Sequence, residues 1–314
     1  MTRRVRGALE PGRDRLRFVA EEPTRPGGVV VPFPKHNLGV DYDTSWARRY
    51  PVRLVRAMVL DDFSRPMLHV ALSPKVIGLE HLDPIDGPMI LAANHASHLD
   101  TALLLSVLPS WLRHRTIVAA AADYFFDRHW KAAMWSFGLG AIPMERSKVN
   151  RRSADLTASL INDGWSLIIF PEGGRTADGW GREFKGGASY LAKRCGVPVI
   201  PVHIRGTRAV LAKSSSRFRP GSTEIRLGDA LVLMEGEDAR RFAARIELAV
   251  AALADEAESD WWSARRRAAA GTTPSFRGPG VSAWRREWAL PDSARKDQHR
   301  SREKMSDKPW KRGD

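Results

Sequence analysis

The chain has 314 residues, 43% hydrophobic and 27% charged, with a formal net charge of +14. Apolar content of this order is ordinary for a globular protein, and the length leaves ample chain to bury a core, which excludes a wholly disordered polypeptide. Cys195 is the one cysteine, so neither an internal disulfide framework nor a cysteine-based zinc site is available, and the cationic surplus calls for nucleic acid, acidic lipid headgroups or a phosphorylated substrate as partner.

Residues 1–44 are rich in Pro, Arg and Gly without sustained periodicity and read as a flexible lead-in. Arg3, Arg4 and Arg6 are followed by Glu10, Arg13 and Asp14 rather than by the apolar region of a signal peptide. No apolar run approaches the roughly 18 residues of a membrane span. The expectation is a cytoplasmic chain able to lie on the inner face of a membrane. Residues 45–74 are amphipathic: Val52, Val55, Met58 and Val59 recur at helical spacing, with Arg48, Arg49, Arg53 and Arg56 alongside.

From 75 to 260 short apolar runs alternate with helical patterns. Strands are predicted over 89–93, 165–170 and 197–204, and helices over 99–107, 128–137, 151–162 and 186–195. A last helix over 238–257 would bury Phe242, Ile246, Val250 and Leu253. That order predicts an α/β domain with a mostly parallel central sheet flanked by helices. Charge then changes sign. Residues 231–260 carry three basic and eight acidic groups, whereas 261–314 carry fourteen basic and six acidic groups. The tail 261–314 also holds Trp261, Trp262, Trp284, Trp288 and Trp310, interrupted by Gly271, Pro274, Gly278, Pro279 and Gly280. Tryptophan beside arginine is the composition of an interfacial membrane anchor, and the alternative is a solvated tail.

Chemistry concentrates in two segments. Asn94-His95-Ala96-Ser97-His98-Leu99-Asp100-Thr101 follows the first core strand, at a strand end where ligands of open α/β sheets collect. If the chain turns between them, Asp100 can hold one imidazole nitrogen of His95 and leave the other to remove a proton. Asp100 could equally be a helix cap, and the octad alone supports both. His98 reads as a solvated neighbour. The second segment is Phe170-Pro171-Glu172-Gly173-Gly174-Arg175-Thr176, where two glycines let backbone N–H groups approach an anion and Arg175 offers a fork of donors.

Together the two segments resemble the glycerolipid acyltransferases, the family of lysophosphatidic acid and glycerol-3-phosphate acyltransferases. Gly140-Ala141-Ile142-Pro143-Met144-Glu145-Arg146 looks like the family block whose arginine contacts the acceptor's phosphate. Val197-Pro198-Val199-Ile200-Pro201-Val202 looks like its proline-containing strand near the acyl pocket, and Phe184-Lys185-Gly186-Gly187 matches the basic segment after the third block. The resemblance covers about 75–210. Gly174, Thr176 and Glu145 depart from the residues more common in the family.

The resemblance implies transfer of a fatty acyl group from acyl-CoA or acyl carrier protein to a hydroxyl of a lysophospholipid or glycerol phosphate, with no further cofactor and no metal. His95 and Asp100 would be catalytic. Arg146, Arg175 and Lys185 would hold phosphate, Gly173 would donate its N–H, and Glu172 would orient a hydroxyl or an arginine. Pro198 and Pro201 would be acyl-pocket or structural residues. Cys195 reads as a small packing side chain. A close variant acylates another lipid alcohol, such as a glycolipid or an amino-acid lipid. A nucleic-acid-binding module finds no recognition helix or RNA-binding signature to support it, and retention of His95 and Asp100 argues against an inactive lipid-binding relative.

Overall fold

The computed structural model describes residues 38–145, 151–175, 180–211 and 218–278. Most of the lead-in, Arg146, Thr176 and the tryptophans at 284, 288 and 310 therefore lie outside the described residues. Helix α1 (Tyr50–Met58) continues through a π-helical stretch (Val59–Ser64) into α2 (Arg65–Leu72). Strand β1 (Pro74–Ile77) and β2 (Ile90–Ala93) come next, then α3 (Leu99–Val107), β3 (Thr116–Ala121), α4 (His129–Leu139) and β4 (Ala141–Met144). Helix α5 (Arg151–Asn162), β5 (Ser166–Ile169), α6 (Gly187–Cys195), β6 (Val199–Arg205) and β7 (Thr223–Leu227) complete the sheet. Two helices, α7 (Ala239–Glu258) and α8 (Trp261–Ala269), close the described chain.

Among the described residues the sheet has the order β1-β7-β6-β2-β5-β3-β4. Every neighbouring pair is parallel except β6 with β7. Strand β2 lies at the centre, with Ile90 opposite Val199 on one side and Leu167 on the other. All four of its residues are buried, because helices cover both faces. Leu91 and Ala93 join Leu103, Leu104, Ile200 and Ile225 in one core. Ile90 and Ala92 join Leu167, Leu191, Phe242 and Ile246 in the other. The predicted α/β architecture is the one observed, and helices α3 and α5 begin and end where the apolar periodicity puts them.

Helix α7 begins at Asp238, whose carboxylate accepts from the Arg241 N–H at 2.7 Å, and α8 begins at Asp260, which accepts from Ser263 N–H at 2.9 Å. Arg267 of α8 donates two hydrogen bonds to Asp255 of α7, at 2.6 and 2.7 Å. Leu253, expected in the core, is only partly buried, whereas Phe242, Ile246 and Val250 are fully covered. Ordered packing does not stop at residue 260 as the composition implies. Helix α8 packs on α7, and residues 275–278 return to the segment 180–184.

The amphipathic N-terminal segment is helical, but its orientation reverses the usual one. Val55, Met58 and Val59 are exposed, together with Tyr50, Leu54, Phe63, Met67 and Val70. Arg56 is buried instead. Its guanidinium lies against Gly140, the left-handed C-cap of α4, where a Cβ would come within 2.8 Å of Nη1. Burial, reinforced by the neighbouring Arg53, pulls the Arg56 pKa down to about 10. Arg53 itself lies over the Trp165 ring, at 5.1 Å. The cations thus find partners or space in the protein, and the aliphatic stripe is left outside. Among the described residues no helix is long and apolar enough to cross a membrane.

Gly78 follows β1 with φ +85°, and a Cβ there would meet the Leu227 carbonyl oxygen at 2.1 Å. Gly78→Ala is expected to destabilise the fold by about 1–3 kcal/mol from backbone strain alone. A urea-denaturation midpoint equal to that of the parent chain would contradict the packing at this edge of the sheet.

Candidate active site

Asn94 ends β2 by behaving as one more rung of the ladder. Its Nδ2 donates to the Ile204 carbonyl at 2.9 Å, and its Oδ1 accepts from the Ile204 N–H at 2.7 Å. The chain then turns, and His95 meets Asp100 across the first turn of α3, Nδ1 to Oδ2 at 2.9 Å. His95 stacks on Phe170, ring centroids 4.2 Å apart, and keeps 15% of its side chain exposed.

Asp100 is fully buried and surrounded by donors. Its Oδ2 also accepts from the N–H groups of Ala96 at 2.7 Å and Ser97 at 2.8 Å, and its Oδ1 accepts from Thr207 Oγ1 at 2.5 Å. One carboxylate thus accepts both from the backbone of the turn and from the imidazole, so capping and holding the ring are not alternatives. An acceptor at Nδ1 assigns the proton to that nitrogen and leaves Nε2 with a lone pair.

Glu172 departs from expectation. It is buried, and its two oxygens face backbone amides: Oε1 accepts from His95 N–H at 2.8 Å and Oε2 from Arg182 N–H at 3.0 Å. It clamps the two loops together through these main-chain donors, with the Arg182 charge also close enough to act on it. Burial pushes its pKa from 4.5 up to about 7, against the lowering effect of those two donors; the nearby Asp100 charge adds to the rise.

Gly173 also differs from its expected role. Its N–H donates to the Phe170 carbonyl at 3.0 Å and closes a turn, so it is not offered to an anion. With φ +68°, its missing side chain makes room for the Lys185 ammonium, which would lie 2.8 Å from a Cβ.

Arg175 and Lys185 both line the cavity described below, with Arg182 beside them. Arg175 Nη2 donates to His98 Nε2 at 2.6 Å. His98 is thus not a solvated neighbour. Burial, and secondarily the charge of Arg175, lowers its pKa to about 4, which leaves a neutral ring able to accept that bond. The ring stacks on Tyr124 at 5.7 Å.

These groups stand at the polar end of a cavity of about 640 Å³, within the range of about 300–1,000 Å³ typical of ligand pockets. Its other walls are mostly apolar: Val118, Ala119, Ala120 and Ala121 of β3, Trp135 and Leu139 of α4, Met144, Ile169 and Leu191, with Glu145 and Ser153 also on the lining. Three consecutive alanines leave the space that larger side chains would fill. Pro198 and Pro201 do not line it. The Pro198 carbonyl, just before β6, accepts from Ile90 N–H at 3.0 Å, and Pro201 pairs opposite Ala92 within β6, so both have structural places in the sheet. Cys195 packs against Ala158, with its thiol pKa raised by burial, which suits packing rather than attack. Asn94, His98, Arg182 and Thr207 carry roles that motif reading did not assign.

Residues 73–205 match the protein-family model described as Acyltransferase. Over that stretch the chain is similar to the acyltransferases. It is 32% identical over 140 residues to the chloroplastic 1-acyl-sn-glycerol-3-phosphate acyltransferase BAT2 of Brassica napus, covering 44% of this chain and 39% of that one. It is 26% identical over 166 residues to human 1-acyl-sn-glycerol-3-phosphate acyltransferase alpha, covering 51% of this chain and 57% of the relative. The chain thus spans about two fifths to just under three fifths of the length of these relatives. The fold is similar to the crystal structure of the 1-acyl-sn-glycerophosphate acyltransferase PlsC from Thermotoga maritima. That match has a TM-score of 0.52 at 23% identity, over 70% of this chain and 85% of that one.

The raised Glu172 pKa sets a pH signature. Between 4.5 and about 7 the folded chain holds a proton there that the unfolded chain has lost. The stability so contributed is complete below 4.5 and disappears as pH rises through about 7. The Tm difference between the parent chain and Glu172→Gln is therefore expected to shift against the parent from pH 5 to pH 8. A difference constant with pH would contradict the buried, proton-holding environment.

Proposed function

We propose that the protein is an O-acyltransferase that moves a fatty acyl group from an acyl thioester to the hydroxyl of a lysophosphatidic acid or similar glycerol phosphate. The observation that carries this reading is the arrangement of one cavity: a histidine–carboxylate pair at its polar end, cations beside the pair, and a long apolar wall beyond. The acyl chain lies along the alanine-rich wall, with the thioester carbonyl near His95. Acyl-CoA or acyl carrier protein supplies it. The acceptor's phosphate is held by Arg175 and Lys185, with Arg182 adjacent and Arg146 as a further candidate from the sequence.

In the reaction His95 Nε2 takes the proton from the acceptor hydroxyl as its oxygen attacks the thioester carbonyl. Asp100 stabilises the imidazolium that forms. The tetrahedral adduct collapses, the carbon–sulfur bond breaks, and the thiolate leaves, taking the proton from His95. No acyl-enzyme forms. A general base of this kind contributes about 10²–10⁴ in rate. The test is release of free thiol from acyl-CoA with lysophosphatidic acid, glycerol-3-phosphate and monoacylglycerol as acceptors. Lysophosphatidic acid should be the best acceptor, and Arg175→Ala should raise its KM about tenfold while moving the donor's KM less than twofold. Equal turnover of monoacylglycerol would instead favour an unphosphorylated lipid alcohol.

The same reading places the enzyme on an anionic membrane, the inner face of the cell membrane in a cytoplasmic setting. Its support is the exposed apolar face of α1 and α2, together with Trp261 and Trp262, exposed on α8 next to Arg265 and Arg266. Each basic residue near such a surface adds about 1 kcal/mol. Phe63→Asp combined with Met67→Asp should weaken co-sedimentation with phosphatidylglycerol vesicles at least tenfold and spare turnover of a short-chain, water-soluble acceptor. Because residues 261–278 belong to the packed domain, a truncation that tests the tail begins at residue 279. Undiminished binding by the double variant would remove α1 and α2 from the membrane contact.

A further inference from the structure

We infer that residues 275–278, which lie beyond the family match, are a positioning strap for the catalytic histidine. The segment Ser275-Phe276-Arg277-Gly278 follows α8 and packs on residues 180–184, part of the loop that joins the Arg175 turn to α6. The Gly181 N–H donates to the Phe276 carbonyl at 2.9 Å. The next amide along, Arg182 N–H, donates to Glu172, and the other oxygen of Glu172 accepts from the His95 N–H. Three hydrogen bonds and one peptide unit thus lead from Phe276 to the backbone of His95.

A second branch runs beside the first. Arg277 Nε donates to Oε1 of the buried Glu247 on α7, whose Oε2 accepts from Phe184 N–H at 2.9 Å. Phe184 immediately precedes Lys185, and its ring meets that of Phe276 edge-on at 5.4 Å. Two glycines make the contact close. A Cβ on Gly181 would come within 1.8 Å of the Phe276 ring, and one on Gly278 within 2.3 Å of the Trp180 ring. Such complementarity is specific to these residues, and it bears on a loop that carries two of the cavity's cations and one end of the Glu172 clamp. Small displacements of positioned groups can reduce rate about 10²-fold, so a segment remote from the reacting atoms can govern turnover. The strap touches neither substrate nor His95 itself. It acts through Gly181, Arg182 and Glu172.

This inference rests on the reading of His95 as general base, and the test separates the two. In the full-length chain, kcat and both KM values are measured on a water-soluble acceptor for Phe276→Ala, Phe276→Tyr, Gly181→Ala and the Phe276→Ala/Gly181→Ala double variant. Amide hydrogen exchange is followed over residues 93–96 and 180–185. The strap predicts a kcat at least tenfold lower for Phe276→Ala with the donor's KM within twofold, near-parent turnover for Phe276→Tyr, and a double variant no worse than the poorer single one. It also predicts faster exchange at Gly181, Arg182 and His95 in Phe276→Ala. Unchanged kcat with unchanged exchange overturns it, as does a loss shared equally by Phe276→Tyr or fully additive in the double variant. If the parent chain transfers no acyl group, the catalytic reading fails by itself, and exchange alone decides whether the strap is coupled to His95.

Discussion

The arrangement depends on one carboxylate that has no access to water. Asp100 lies at the end of the central strand, under the first turn of α3, with every contact to its oxygens made by the protein: two backbone amides, the Thr207 hydroxyl and the His95 ring. A buried carboxylate left short of donors would be expensive, and this one is not short. The same bonds that make its burial tolerable fix the turn between His95 and Asp100. They also fix which nitrogen of His95 faces the cavity. Stability of the turn and orientation of the imidazole are consequences of one set of contacts.

Around this centre the structure separates charge by depth. Asp100 and Glu172 are buried and turned toward backbone, while Arg175, Arg182 and Lys185 stand on the cavity lining. The cavity lining near His95 thus presents cations and a neutral His98, with Asp100 and Glu172 turned away from it and Glu145 also on the lining. Glu172 joins the His95 turn to the loop of Arg182, so the acidic residue of the second motif organises the site without entering it. Beyond His95 the wall becomes mostly apolar, and the alanines of β3 set its width.

Much of this was legible in the sequence, for identifiable reasons. His95 and Asp100 are five positions apart, so a single turn suffices to join them, and the strand and helix on either side carry clear periodicity. What escaped notice depends on contacts between distant segments. Thr207 is 107 positions from Asp100, Arg182 reaches Glu172 through a main-chain amide, and Phe276 lies in a stretch whose composition reads as tail. A glycine such as Gly173 permits an N–H to face an anion, yet here its N–H closes a turn and its missing side chain admits the Lys185 ammonium. The N-terminal segment shows the limit of amphipathicity. The pattern marks two faces but not which one meets the protein, and here the space above Gly140 drew Arg56 inward and left the apolar stripe outside.

The central claim is that Asp100 holds His95 with Nδ1 protonated and Nε2 free to accept. Long-range proton–nitrogen correlation spectra of the ¹⁵N-histidine-labelled chain at pH 8, with His95→Gln to assign the resonance, read that state directly. The account predicts a protonated Nδ1 and an unprotonated Nε2 on His95 in the parent chain, and loss of that preference in Asp100→Asn. A proton on Nε2 in the parent chain, or a tautomer indifferent to Asp100→Asn, would contradict it.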